Sequence, residues 1–470
     1  MSESRPKRIA VLGGGIAGLA AAHRLVTLEP STEVTLFEAG DKLGGVIQSE
    51  HVDGYLIERS ADNFITNFPW GVDLCRELGI AEELLETDPA RRKALIVRDG
   101  RLYPVPAGFQ LLTPSQLWPL VTSPLLSLGG KIRILREYFV PPRTDDGDES
   151  LESFTVRRLG REAFERLVQP LVGGIYTADP AQLSMQAALP RFLELEKKHG
   201  SLIRAARHLR GKEKQAATES SGARYGLFVA PRGGMGRIAA AVAAKLPEGC
   251  VKLNSRVVGI ERNGDAWQLT LESQDDSPSF DALVTALPAP IAARLLRNVD
   301  AELAADVAKI PYAGASIALS GYELKQIDNP LDAFGFVVPA IEKNNILAAS
   351  FSSRKFPDRA PEGCVLIRTF LGGALRPDLV DLPEAEIRAL VGRELGALLG
   401  IRGEPHLFLL QRWRGAMPQY HLGHVPLVEC IQNRAARLPR LALAGNAYHG
   451  VGLPQCVRSG RAAAERLLNA

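Results

Sequence analysis

Residues 8–45 read RIAVLGGGIAGLAAAHRLVTLEPSTEVTLFEAGDKLGG, and this stretch decides the fold. Arg8–Leu12 is an apolar run suited to a strand, Gly13 to Gly15 form a turn, and Ile16 to about Leu28 make an alanine-rich helix. A second strand follows in Glu33-VTLF, which makes the unit βαβ. Gly13, Gly15 and Gly18 supply G-x-G-x-x-G, with Gly14, Ile16 and Ala17 completing the loop. The first glycine permits the tight turn, the second lets backbone approach a pyrophosphate, and the third lets helix pack closely on strand. The helix N-terminus then faces the phosphates. Glu38 ends the second strand about 20 residues beyond the last glycine, where an acid accepts ribose hydroxyls and repels a 2′-phosphate.

The same stretch imitates a secretory signal, because Lys7-Arg8 precede an apolar run ending in small residues. The second strand argues against cleavage, so the expected location is cytoplasmic. Lys plus Arg number 56 and Asp plus Glu 53, a balance that gives no reason to expect nucleic acid as a partner. The five cysteines form no CxxC pair, which argues against a zinc or thioredoxin-type site, and no metal is expected. From Leu102 to Gly130 no residue is charged. Pro104, Pro106, Pro114, Pro119 and Pro124 break any spanning helix there, leaving buried structure or a segment that touches a membrane interface.

Further along, Asp99-Gly100 and Asn263-Gly264 mark two hairpins, and residues 151–210 carry helical periodicity. Polar seams fall at 144–150 and 211–223. The C-terminal Leu441-ALAGNAYHGVGLPQCVRSGRAAAERL repeats the logic of the N-terminus: a strand, a glycine turn, and a helix opening near Pro454. A helix start at Val451-Gly452-Leu453 would aim amides at an electron-rich ligand edge.

Directly after Glu38, Ala39-GDKLGGVIQSE brings a second glycine pair, Gly44-Gly45, beside the pyrophosphate. This extension is similar to FAD-binding families that include amine oxidases, phytoene desaturases and porphyrinogen oxidases. Across almost its whole length the chain resembles the protoporphyrinogen/coproporphyrinogen oxidase family. The resemblance rests on Gly54-YLIERSADNF, Gln169-PLVGGIYTADPAQLSM, Ala230-PRGGM, Phe334-GFVVP, Phe351-SSRKFPDRAP, Met417-PQYHLGH and Gly445-NAYHGVGLPQC. It implies an α/β fold: a discontinuous Rossmann-like FAD-binding domain of amine-oxidase type, a mixed-sheet substrate domain and a helical insertion. The expected segments are 1–90, 221–295 and 435–470 for FAD, 91–220 for the insertion and 296–434 for substrate.

Residue by residue, the resemblance assigns the pyrophosphate and adenosine to Gly13–Gly18, Glu38, Ala39, Gly44, Gly45 and Val46, with Val257 at the adenine. It lays Ser60, Ala61, Asp62 and Asn63 along the isoalloxazine, with Trp413, Asn446, Val451, Gly452 and Leu453 as further flavin contacts. Gly174, Val337, Ser350 and Phe370 fall at the substrate pocket, and Arg92 or Lys93 (with Arg91) could meet a substrate carboxylate. Ser60-Ala61 replaces the family's usual Gly-Pro, which questions the backbone path there.

The implied reaction takes three hydrides from a porphyrinogen to FAD, with oxygen as oxidant and hydrogen peroxide as product, in heme biosynthesis. No catalytic residue is assigned; the flavin carries the chemistry. Protoporphyrinogen IX and coproporphyrinogen III stay equally open as substrates. Peripheral contact of 102–130 with the inner face of the cell membrane, and handover to a downstream heme-pathway enzyme, complete the expected partners. A flavin amine oxidase would share the fold but carry Arg where this chain has Val46. A carotenoid desaturase would lack the FPDRAP and MPQYHLGH stretches, and a lipid carrier of the same fold would lack flavin.

Overall fold

The computed structural model describes residues 7–216, 228–272 and 277–469. The N-terminal unit forms as its sequence dictates, with strand β1 at Arg8–Leu12, helix α1 at Ile16–Leu28 and strand β2 at Glu33–Phe37. These strands join a five-stranded sheet ordered Val251–Lys252, β2, β1, Ala282–Thr285, Leu441–Leu443, parallel throughout. A parallel sheet must be covered on both faces, and its central strands are accordingly buried along nearly their whole length. The sheet draws strands from three separate stretches of chain. The seam at 211–223 lies partly outside the described residues.

Helix α1 is buried over most of its circumference, and alanine makes that possible. Ala20, Ala21 and Ala22 are fully enclosed, and the closing helix Leu453–Leu468 packs directly on it. At that crossing Gly460 sits against the Ala17 carbonyl so closely that any Cβ would collide with it.

The second sheet has seven strands in the order Leu407–Pro418, Tyr312–Glu323, Cys364–Gly372, Ile346–Phe351, Gly335–Val337, Ala94–Arg98, Arg101–Pro104. It is mixed: Gly335–Val337 runs parallel to Ala94–Arg98 and the other pairings are antiparallel. The 94–104 hairpin thus leaves its helical neighbours and completes this sheet. One face packs on the helix Glu384–Leu399. The other meets the helical layer between residues 117 and 216 at one end and the strand Tyr55–Glu58 at the other.

Within the helical layer, Glu137 is fully buried and pairs with the equally buried Arg158. Its carboxylate also accepts from Ser201 Oγ at 2.6 Å and from the backbone N–H of Leu202 and Ile203 at 2.8 and 3.1 Å. An acid at a helix N-terminus satisfies free N–H groups and complements the dipole.

The uncharged stretch divides between burial and exposure. Leu112, Leu120, Leu125 and Leu126 are core residues, while Trp118 is 76% and Leu128 75% exposed. Among the described residues no helix is long and apolar enough to cross a membrane.

Candidate functional site

The two glycine segments of the N-terminus come together, as their backbone geometry requires. Gly44 N–H donates to Gly14 O at 2.8 Å, and a bridge links Gly15 to Gly44. Gly13 has a φ of +101°, and a Cβ on it would lie 2.7 Å from the Ala286 carbonyl oxygen. A Cβ on Gly18 would collide with the Gly13 carbonyl, whereas one on Gly15 would meet nothing within 4 Å. The second glycine therefore faces open space, where a ligand backbone can approach. Gly15 and Gly452, the N-caps of α1 and the closing helix, provide no side-chain cap. Both helices open at the C-terminal edge of the parallel sheet, where such folds bind their ligands.

Glu38 stands at that edge. One carboxylate oxygen accepts from Gly14 N–H at 2.7 Å and the other from Gly40 N–H at 2.8 Å. A carboxylate offers about four acceptor positions, so two stay available for ribose hydroxyls. Ser255 N–H donates to Glu38 O and Asn254 N–H to Gly40 O, which brings the start of the Val257–Asn263 strand beside the same edge. Val46, just past the glycine pair, is 40% exposed.

Ser60 to Asn63 leave the strand Tyr55–Glu58 and are pinned from several sides. Trp413 Nε1 donates to Arg59 O at 2.7 Å, and Arg368 Nη2 donates to Ser60 O. Neither Ser60 nor Ala61 takes a positive φ, so the backbone path needs no glycine there. Asp62 is buried and ion-paired with Lys355 at 2.8 Å and Arg368 at 3.0 Å. Burial alone would raise its carboxyl, but these two cations hold it well below the usual carboxylate range.

On the seven-stranded sheet, the face toward this segment carries the expected substrate positions. Ser350 pairs with Arg368 in register, Phe370 with both Ala348 and Ile317, and Val337 with Ala348 and Ile96. Residues directly opposite each other across strands point to one face. Gly174 arrives from the helix Gln169–Tyr176, and a Cβ on it would sit 3.8 Å from Val337 Cγ1. Val337 and Val451 both pack against the core of the helical layer.

The cations upstream of Ala94 are engaged elsewhere. Arg92 donates to Thr87 O at 2.9 Å and pairs with Glu86, Lys93 pairs with Asp332, and Arg91 with Asp88. Arg368, which pattern reading passed over, is the cation buried in the face itself, at 1% exposure. The signal was present: a lone charge inside the apolar run Cys364-VLIRTFLGG must have partners to be tolerated.

His449 is exposed, its Nε2 2.7 Å from Gln432 Nε2, with no carboxylate among these contacts. Cys456 is buried and its thiol is pushed up to about 12, so it packs rather than reacts.

The residues fit a bound FAD. The Gly13–Gly18 loop is open at Gly15, two helix starts lack side-chain caps, and Ala61 is exposed beside the buried Asp62. Gln455 Oε1, folded against Gly452, is buried and has no partner within the protein. A buried orphan acceptor signals a group supplied from outside the chain.

Comparison with known proteins agrees with this geometry. The profile of the family described as flavin containing amine oxidoreductase matches residues 16–468, and the chain belongs to that family. Within it the chain belongs with the porphyrinogen oxidases. It is 33% identical to the coproporphyrinogen III oxidase of Propionibacterium freudenreichii, over 98% of this chain and 91% of that one. It is 30% identical to the coproporphyrinogen III oxidase of Staphylococcus aureus, over 98% and 99%. A crystal structure from Exiguobacterium, assigned as a protoporphyrinogen oxidase, superimposes with a TM-score of 0.88 over the full length of both chains at 27% identity. FAD is the cofactor, in keeping with a family described as flavin containing.

Proposed function

We propose that this chain oxidises coproporphyrinogen III to coproporphyrin III, using FAD and molecular oxygen and releasing hydrogen peroxide. The supporting observation is full-length similarity at 30–33% to two bacterial coproporphyrinogen III oxidases, together with the sheet face that carries Val337, Ser350 and Phe370. Bound FAD supplies the hydride acceptor and the centre that oxygen reoxidises. The protein's own work is to orient the macrocycle and exclude water. Phe370 and Val337 offer apolar contact to pyrrole rings, Gly174 leaves room for the macrocycle edge, and Ser350 offers a hydroxyl. Gly13–Gly18, Glu38, Ala39, Gly44–Val46 and Val257 hold the dinucleotide end, and Ser60–Asn63, Trp413, Asn446 and Val451–Leu453 surround the ring. Arg92 and Lys93 are read as rim charges, because each already has a carboxylate partner.

Peripheral attachment to an anionic lipid surface belongs to the same reading. Trp118, Leu128, Ile132 and Phe139 are exposed, while Lys131, Arg133 and Arg136 are the cations beside them. The one acid of residues 117–139, Glu137, is buried against Arg158. Exposed aromatics with a basic rim suit a headgroup interface.

The experiment is to offer coproporphyrinogen III and protoporphyrinogen IX under identical conditions and to compare kcat/KM by porphyrin fluorescence. A higher kcat/KM for coproporphyrinogen III is expected. A preference for protoporphyrinogen IX would replace the substrate, and no fluorescence from either would overturn the reaction.

A further inference from the structure

Five ionisable side chains lie beneath the Ser60–Asn63 segment, and their charges do not cancel. Lys355 Nζ and Arg368 Nη1 share the same Asp62 oxygen, at 2.8 and 3.0 Å. The other Asp62 oxygen accepts from Asn63 Nδ2 at 2.6 Å. Exposure of these side chains is only 12% for Lys355, 1% for Arg368 and 10% for Asp62. Glu58 and Arg359, each 1% exposed, complete the group. Arg359 donates to the carbonyls of Arg232 and Pro231, and Glu58 accepts from Ser49 Oγ and Met235 N–H. Three cations thus face two carboxylates. Burial also pushes Glu58 up to about 7, so it offsets less than a full charge near neutrality.

A surplus buried charge is costly and persists only where something favours it. Two further observations point across the wall rather than into the core. Arg368 Nε is buried without a partner, as is the Oγ of Ser350, its neighbour in register. In a planar trans peptide the carbonyl and the next N–H point to opposite sides. Because Arg368 holds the Ser60 carbonyl, the Ala61 N–H points away from the guanidinium, toward the side where Ala61 is exposed.

We infer that Lys355 and Arg368 are positioning residues that fix the Ser60–Asn63 wall and place a surplus positive charge behind it, favouring negative charge on the bound flavin ring. This rests on the reading of Ser60–Asn63 as the wall of the isoalloxazine site. Buried charges are poorly screened, so the effect reaches across a segment of backbone.

Sulfite is the probe, because its lone pair forms a bond to flavin N5 and the ring takes the displaced electron pair as negative charge. FAD-loaded wild type should bind sulfite, seen as bleaching of the flavin absorbance. Lys355→Met should retain FAD and weaken sulfite binding roughly tenfold, a difference of about 1.4 kcal/mol. Lys355→Arg should restore it, and Asp62→Asn, which removes a negative charge, should strengthen it. If Lys355→Met does not fold, Asp62→Asn carries the test with the opposite sign. Unchanged affinity in the flavin-loaded variants, or a flavin-loaded wild type that binds no sulfite, overturns the proposal. Failure of the underlying reading is seen separately: Ala61→Leu should distort the flavin absorbance band, and an unaltered band would remove the wall from the ring.

Discussion

Glu58 stands at the end of a strand with 1% exposure, accepting from Ser49 Oγ at 2.6 Å and Met235 N–H at 2.9 Å. Burial raises its carboxyl to about 7, with the two hydrogen bonds, Arg368 and Arg359 acting in the opposite direction. The linkage follows from comparing folded and unfolded chains. Between the ordinary value of 4.5 and about 7 the unfolded chain releases a proton that the folded chain keeps, so stability falls as pH rises through that window and levels off above it. The loss attributable to this group is about 3 kcal/mol. Glu58→Gln keeps a neutral hydrogen-bonding side chain in place. Denaturant melts at pH 5 and pH 8 should therefore show a smaller loss in the variant than in wild type; parallel losses would mean that Glu58 titrates normally. Sequence reading assigned Asp62 to the flavin wall and took no account of Glu58 beside it. The difference is physical: a carboxyl's behaviour depends on the enclosure around it, and here that enclosure comes from the distant 231–236 loop.

At the scale of elements, the closing helix and α1 meet through Gly460 rather than through interlocking large side chains. The crossing is tight because a glycine lies over the Ala17 carbonyl, and α1 carries the Gly13–Gly18 loop at its start. Gly460→Val must push the helices apart. Overpacking of this kind costs about 1–3 kcal/mol. Thermal melts should show the loss, and FAD should dissociate more readily because the displaced helix carries Gly13–Gly18 with it. Unchanged FAD retention would show that the loop is held by the sheet alone. The N-terminal βαβ unit, the two hairpins, the last strand and both glycine-led helices were legible in the sequence, since each depends on local φ preferences and apolar spacing. The 94–104 hairpin was legible as a hairpin. Its membership of the seven-stranded sheet was not, because its partner strand begins at Gly335 and nothing local encodes that pairing.

The whole molecule presents an uneven surface. Trp118 and Phe139 are 76% and 78% exposed on the helical layer, in a stretch whose one acid, Glu137, is withdrawn into the core against Arg158. With vesicles containing anionic phosphatidylserine, the protein should co-sediment at low salt. Trp118→Ser with Phe139→Ser should reduce the bound fraction while leaving FAD content unchanged, and equal sedimentation of variant and wild type would remove this face from the reading. The sequence determined the dinucleotide fold and the glycines at which its backbone is left open, because a glycine's missing Cβ acts where it stands. Family-specific stretches carried the reaction class. The tertiary structure decided which charges are spent and which remain. Arg92 and Lys93, expected at the pocket from sequence, are paired with Glu86 and Asp332, while Lys355 and Arg368, 293 and 306 positions further along the chain, converge on Asp62. Charge pairing acts through space, and only the folded chain fixes those distances.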